Sequence, residues 1–237
     1  ACNQSKLPAI APDVITQNTL NDTDDPAIWI NPEDTSKSIV FGTDKETNGA
    51  IYAFDLEGNI IEDKTIRNIQ RPNNVDVEYG FQLNDSTTVD VLVFTERERL
   101  QIRLFSVPDM KPLDGGGFPV FEDEGSYDQK LPMGIGLYKS PIDSSLYAIV
   151  GRKTGPVENY LYQYQFIADS VGVKSNLVRK FGKFSGQKEI EAIAVDDENG
   201  YIYYSDEGVC IRKYYVEPSK GNEEISCFGA EYFLEDI

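Results

Sequence analysis

"AIWINPEDTSKSIVFGTDKETNGAIYAFDLEGNIIEDKTI", Ala27 to Ile66, is the stretch whose reading decides the fold. Four short runs rich in β-branched and aromatic residues lie in it: "AIWINPED", "SIVFGTDK", "AIYAFDLEGN" and "IIEDKTI". Asn-Pro and Glu-Gly-Asn turn signals punctuate them, so the segment reads as four strands joined by hairpins. The pattern returns in "NNVDVEYGF", "DVLVFTERE" and "QIRLFSVPD" with a Pro/Gly-rich return, and in "GIGLYKSPIDSS", "LYAIVGRKTG", "YLYQYQFIAD" and "NLVRKFGKF". It appears a fourth time in "IEAIAVDDENG", "YIYYSDEG", "CIRKYYVEP" and "EEISCFG". Repeats of about 45 to 60 residues with four strands each are the signature of β-propeller blades. No run carries a sustained 3.6-residue apolar stripe, which leaves an all-β chain with a two-sheet sandwich as the rival architecture. Four units close only a small ring, and the final "GAEYFLEDI" reads as the lead into another blade, so part of a larger propeller is expected.

Charge and composition restrict the chemistry. The 237 residues hold 22 Lys and Arg against 40 Asp and Glu, a net charge of -18, which argues against nucleic acid or anionic lipid as a partner. Histidine is absent, so Ser-His-Asp and Cys-His catalysis and imidazole zinc sites are excluded. Abundant carboxylate and amide oxygen suits a hard cation, and calcium is the expected metal.

Three cysteines without C-x-x-C spacing bear on compartment rather than on metal. Cys210 and Cys227 lie in neighbouring strand-like segments and would close a disulfide in an exported protein; two free buried thiols are the alternative. Cys2, in "ACNQSKLPAIAPDV", resembles the lipidated cysteine of a bacterial lipoprotein followed by a polar tether. Residues 1–20 are therefore expected as a tether and 21–237 as the propeller domain. The protein is expected to be exported, to a periplasmic, cell-surface or secreted location, and to meet a membrane only through a lipid on Cys2.

Acidic and amide clusters recur at strand mouths: Asp22, Asp24 and Asp25; Asn73, Asn74 and Asp76; Glu189 and Glu191; Asp206 and Glu207; Glu235 and Asp236. In a propeller such positions converge on one end of the channel, where carboxylates in this number repel one another unless cations sit among them. The scarce cations are equally regular. Lys45, Arg97 with Arg99, and Arg152 with Lys153 each follow an apolar strand and precede a turn, so they are expected to gather on one face and to hold a strongly anionic ligand such as phosphate. Solvated turn charges explain any one of these clusters, but explain their recurrence less well.

"DTDDPAIWINPED", "GTDKETNGAIYAFDLEG", "RPNNVDVEYGF" and "IEAIAVDDENGYIYYSDEG" together resemble the β-propeller phytases, the calcium-dependent alkaline phytases, in order from Asp22 to Asp236. The resemblance implies a six-bladed propeller, of which about four blades are present. It also implies a monomer that releases phosphate from phytate or other inositol phosphates, with several calcium ions and attack by a calcium-bridged water. By position it implies Asp24, Asp25, Asp76, Glu191 and Asp236 as calcium ligands and Lys45, Arg97, Arg152 and Lys153 as phosphate-holding residues. Glu207 would stand beside the phosphate, and the catalytic group would comprise Glu207, Lys45 and Lys153.

Three departures stand out. Lys153-Thr154-Gly155 replaces the family's Lys-Glu-Gly, Met133 replaces an aromatic residue before the glycine of "PMGIGLY", and the chain stops at Ile237 where the family continues with a calcium-binding glutamate and about two more blades. The first two favour, as an alternative, a non-catalytic calcium-stabilised propeller that binds a surface partner. A calcium-dependent propeller lactonase is weaker, because such enzymes lean on histidine.

Overall fold

The computed structural model describes residues 10–230. The chain between them folds into four four-stranded antiparallel sheets, each a simple meander. The first holds β1 (Thr23–Trp29), β2 (Ile39–Asp44), β3 (Gly49–Phe54) and β4 (Ile66–Ile69), and the second β5 (Pro72–Asn84), β6 (Thr87–Glu96), β7 (Gln101–Val107) and β8 (Phe118–Pro119). The third holds β9 (Pro132–Lys139), β10 (Leu146–Arg152), β11 (Glu158–Asp169) and β12 (Gly172–Lys183), and the fourth β13 (Ile193–Asp196), β14 (Tyr201–Asp206), β15 (Cys210–Tyr215) and β16 (Ser226–Phe228). These are β-propeller blades, with β1, β5, β9 and β13 packed side by side as the inner strands.

A blade with its faces covered has strands that are apolar on both sides, and every residue of β3 and of β10 is buried, whereas β14 and β15 of the fourth blade alternate between buried and half-buried residues. The core accordingly divides by seam. Trp29, Phe41 and Ile51 meet Leu92, Phe94 and Phe105 between blades one and two. Val93, Leu104 and Phe121 meet Leu137, Tyr162 and Phe166 in the next seam, and Tyr138, Ile149 and Phe181 meet Ile202, Tyr204 and Tyr214 in the third. Burial on this scale, at roughly 1.5–3 kcal/mol per large side chain, drives the stacking.

Inner strands are also tied by carboxylates. Asp25 Oδ2 accepts the Val75 amide at 2.9 Å, and Asp76 Oδ2 accepts the Leu137 amide at 2.8 Å, so each reaches from one blade into the next. Close approach of blades three and four needs glycine at 134, because a Cβ there would overlap the carbonyl of Glu191.

Two local expectations shift. The run "IIEDKTI" is not one strand: Glu62–Lys64 form a turn of 3-10 helix and β4 begins at Ile66, since the polar triplet has no apolar alternation to bury. The segment before β1 is partly tied to blade one, with the Gln17 amide donating to Gly58 O at 2.8 Å and the Ile60 amide to Gln17 Oε1 at 2.8 Å. Cys210 and Cys227 are joined by a disulfide, Cα to Cα 5.8 Å, that fastens edge strand β16 to the start of β15. Among the described residues no helix is long and apolar enough to cross a membrane. Cys2, Glu235 and Asp236 lie outside the described residues.

Candidate active site at the channel mouth

The second strand of every blade ends on a charged residue that is buried: Asp44, Glu96, Arg152 and Asp206. Each holds the segment that leads into the inner strand of its own blade. Asp44 accepts the amides of Asn21 at 3.2 Å and Asp22 at 2.7 Å, and Glu96 accepts the amide of Gln70 at 2.9 Å. Arg152 donates to Gln129 O at 3.4 Å, and Asp206 accepts the Ser185 amide at 3.0 Å and its hydroxyl at 2.7 Å. A charge that accepts or donates several hydrogen bonds tolerates burial, and it fixes the loop it grips.

The next residue in each blade is Lys45, Arg97, Lys153 or Glu207, and these four stand at the same end of the channel, opposite the starts of the inner strands. Lys45 Nζ lies 2.9 Å from Asp24 Oδ2. Arg97 Nη2 is 3.7 Å from Glu191 Oε1 and donates to Asn73 Oδ1, while its Nε, buried, meets no acceptor. Lys153 Nζ donates to Glu189 Oε1. Glu207 sits in the turn between β14 and β15, where its amide reaches Glu189 O at 3.4 Å. The structure thus brings together Asp24, Asp25, Glu191, Lys45, Arg97, Lys153 and Glu207 from all four blades.

Two expected residues are engaged by the protein itself. Arg152, expected on the phosphate beside Lys153, is fully buried, ion-paired to Glu124 at 2.6 Å and stacked among Phe121, Tyr160 and Tyr162 with centroids at 4.8, 5.5 and 4.9 Å. Successive residues of a strand point to opposite sides, so only one of the Arg-Lys pair can face the mouth. Asp76 is a strut between blades: Oδ1 accepts the Val77 amide at 2.8 Å and Oδ2 the Leu137 amide. Of Arg97 and Arg99, Arg97 faces the mouth, and Arg99 is half exposed and 3.6 Å from Glu96. Met133 is buried with its sulfur against Arg97, and its carbonyl accepts the Thr95 hydroxyl at 2.8 Å.

The electrostatics are those of crowded carboxylates. Burial raises the Asp25 pKa, with the charges of Asp24 and Glu191 adding to the rise. Burial pushes Asp76 up to about 6 and Glu78 to about 7, in each case with the charge of Asp197 adding. Burial, and next the charge of Arg71, lowers Arg97. An all-oxygen set with mutual repulsion fits a hard cation in its chemistry, though among the described residues no three acidic side chains are gathered closely enough to hold one alone. Two cavities flank this region. The larger, about 480 Å³, runs along the channel wall past Asp25, Asp76, Ile193 and Tyr203. The smaller, about 380 Å³, is lined by Lys153, Thr154, Gln187, Lys188, Glu189 and Glu207, and brings two cations and two carboxylates together where the larger has carboxylates alone.

The Phytase family model matches residues 4–229. The chain belongs to the Phytase family. It is 27% identical over 206 residues to the 3-phytase of Bacillus subtilis (strain 168), an alignment that takes in 84% of this chain and 50% of the relative. The chain thus spans about half the length of that curated relative. Among solved structures, the Dos1 propeller gives a TM-score of 0.48 at 12% identity, over 87% of this chain and 48% of that one. A putative 6-phosphogluconolactonase from Bacteroides fragilis gives 0.49 at 14%, over 86% and 56%.

Sequence reading found the mouth but not all of its members. Arg71 and Lys188 belong to the segments between blades rather than to strand ends: backbone hydrogen bonds to Glu46 and Arg97, far away in sequence, hold Arg71 there, and Lys188 lines the smaller cavity. The one local signal was charge: each is a cation in a chain with few of them.

Proposed function

We propose that this chain carries the site of a calcium-dependent phosphomonoesterase that releases phosphate from phytate, myo-inositol hexakisphosphate. The observation that carries the reading is the repeated geometry of the mouth. Lys45, Arg97 and Lys153, equivalent residues of three successive blades, face Asp24, Glu191 and Glu189 at the starts of inner strands. An acidic protein of charge -18 otherwise repels a polyanion, so cations set at one end of its channel define where such a substrate lands.

The three cations hold phosphate oxygens and oppose the charge that builds on them as the phosphorus–oxygen ester bond breaks. Buried Arg97, with an Nε donor that meets no protein acceptor, is the most directional of them. Glu207, on a turn fixed from below by Asp206, orders the attacking water or the leaving oxygen. Asp24, Asp25 and Glu191, with Asp236, would hold calcium, which supplies Lewis-acid neutralisation of the phosphate. The disulfide between Cys210 and Cys227 supports an oxidising compartment and hence export, with Cys2 as the point of lipid attachment.

The test is phosphate release from phytate at near-neutral to alkaline pH. Activity is expected to vanish with excess EDTA and return with added calcium, and Lys153→Ala to lose most of it. Equal release in EDTA overturns the reading.

A further inference from the structure

Arg71 has no role in the mechanism above, yet its setting is costly. Its φ is 57°, in the left-handed region that a non-glycine residue seldom enters, and Pro72 follows it, which pushes a preceding residue toward extended backbone. Such a conformation is unfavourable and persists only where its surroundings hold it. They do: the Arg71 amide donates to Glu46 O at 2.9 Å, and Arg71 O accepts the Arg97 amide at 3.0 Å. The segments after Lys45, before β5 and after β6 are thereby laid side by side, which sets Arg71 next to Arg97 at the seam of blades one and two.

The backbones of the two arginines are thus adjacent, and the like charge of Arg71 is felt at Arg97. In a chain with 40 acidic residues, ion pairs with Asp or Glu hold Lys45, Arg97, Arg99, Arg103 and Lys153, whereas among the described residues none holds Arg71. A solvated surface charge does not explain why two like charges are set side by side. An anion between the two arginines does, since planar guanidinium groups match the oxygens of a phosphate.

We propose that Arg71 is a further substrate-binding residue, which together with Arg97 grips a phosphate group of a polyphosphorylated substrate across the seam of the first two blades. The inference rests on the proposed function for the identity of the substrate, but not for the binding of phosphate. Arg71 does not touch the reacting atoms, so its effect falls on affinity rather than on turnover.

The test compares Arg71→Asn, which removes the charge but tolerates a left-handed backbone, with Arg71→Lys, which keeps the charge. Binding of inositol hexakisphosphate and of inorganic phosphate is titrated calorimetrically in calcium, and KM and kcat are measured on inositol hexakisphosphate. Arg71→Asn is expected to weaken binding and raise KM about tenfold with kcat within about threefold, and Arg71→Lys to recover most of the loss, while the melting temperature of Arg71→Asn stays level or rises. Wild-type binding constants for Arg71→Asn overturn the inference, as does a loss that Arg71→Lys shares in full. If the wild type binds the polyanion without hydrolysing it, the proposed activity falls and the Arg71 assignment stands or falls on the titration alone. If the wild type binds neither probe, both fall.

Discussion

Arg152→Met separates a structural from a substrate-binding arginine. The guanidinium is fully buried, its Nη1 lies 2.6 Å from Glu124 Oε1, and its Nη2 donates to Asn159 O at 3.1 Å. Removing one partner of a buried ion pair costs about 3–5 kcal/mol, and Glu124, which keeps some exposure, places this pair at the lower end. Lost contact with the faces of Phe121, Tyr160 and Tyr162 adds roughly 1 kcal/mol, partly offset because methionine fills the volume. A net loss of about 3 kcal/mol corresponds to a fall in melting temperature of roughly 6–12 °C for a domain of this size. The assay pairs a thermal melt with phosphate binding by titration calorimetry at a temperature where the variant is folded. Expected are the lower melting temperature, phosphate affinity within about twofold of wild type, and partial recovery of stability on adding Glu124→Gln, which removes the stranded charge. An unchanged melt with a tenfold weaker phosphate affinity would refute the placement of Arg152 below the mouth.

Two further outcomes follow from the packing and charge of the inner strands. Gly134→Ala drives a methyl into the Glu191 carbonyl and to 2.9 Å from its carbon, so the Glu191 segment must retreat; phosphate release is expected to fall at least tenfold with a modest loss of stability, and full activity would show that the blades are not in close contact there. Asp76 and Glu78 carry raised pKa values, about 6 and about 7, so the folded state binds more protons than the unfolded one between about pH 4 and pH 7, and chelator-treated protein loses stability as pH rises through that window. Relative to wild type, Asp76→Asn is expected to gain up to about 2 kcal/mol between pH 4.5 and pH 7.5 in urea titrations, and a pH-independent difference would remove Asp76 from that account.

The blades were legible because their strands are short apolar or alternating runs and their turns are chemically marked: "AIYAFDLEGN" could hardly be anything but a strand and a hairpin turn. Position at the mouth was legible for Lys45, Arg97 and Lys153 because each follows a strand at the same point in its blade. What sequence left open was parity. "GRKTG" offers Arg152 and Lys153 with equal charge, and only the exit angle of β10 decides that one is buried against Glu124 and the other faces Glu189. The bridging contact of Asp76 was hidden for a related reason, since its partner is a backbone amide sixty-one residues away, Leu137, that carries no mark in the sequence. Arg71 was invisible because its meaning lies in backbone bonds to Glu46 and Arg97, neither of them a neighbour in the chain.

The buried charges that end the second strands have a consequence for how such a site can change. Asp44, Glu96, Arg152 and Asp206 carry the anchoring of the loops, while the functional group is the residue one step further on. Folding and chemistry are therefore written in adjacent but separate positions. The second position can pass from lysine to arginine to glutamate, as it does from Lys45 and Arg97 to Glu207, without unfastening the loop beneath it. A ring built this way can exchange its ligand preference one blade at a time while each intermediate remains a folded protein.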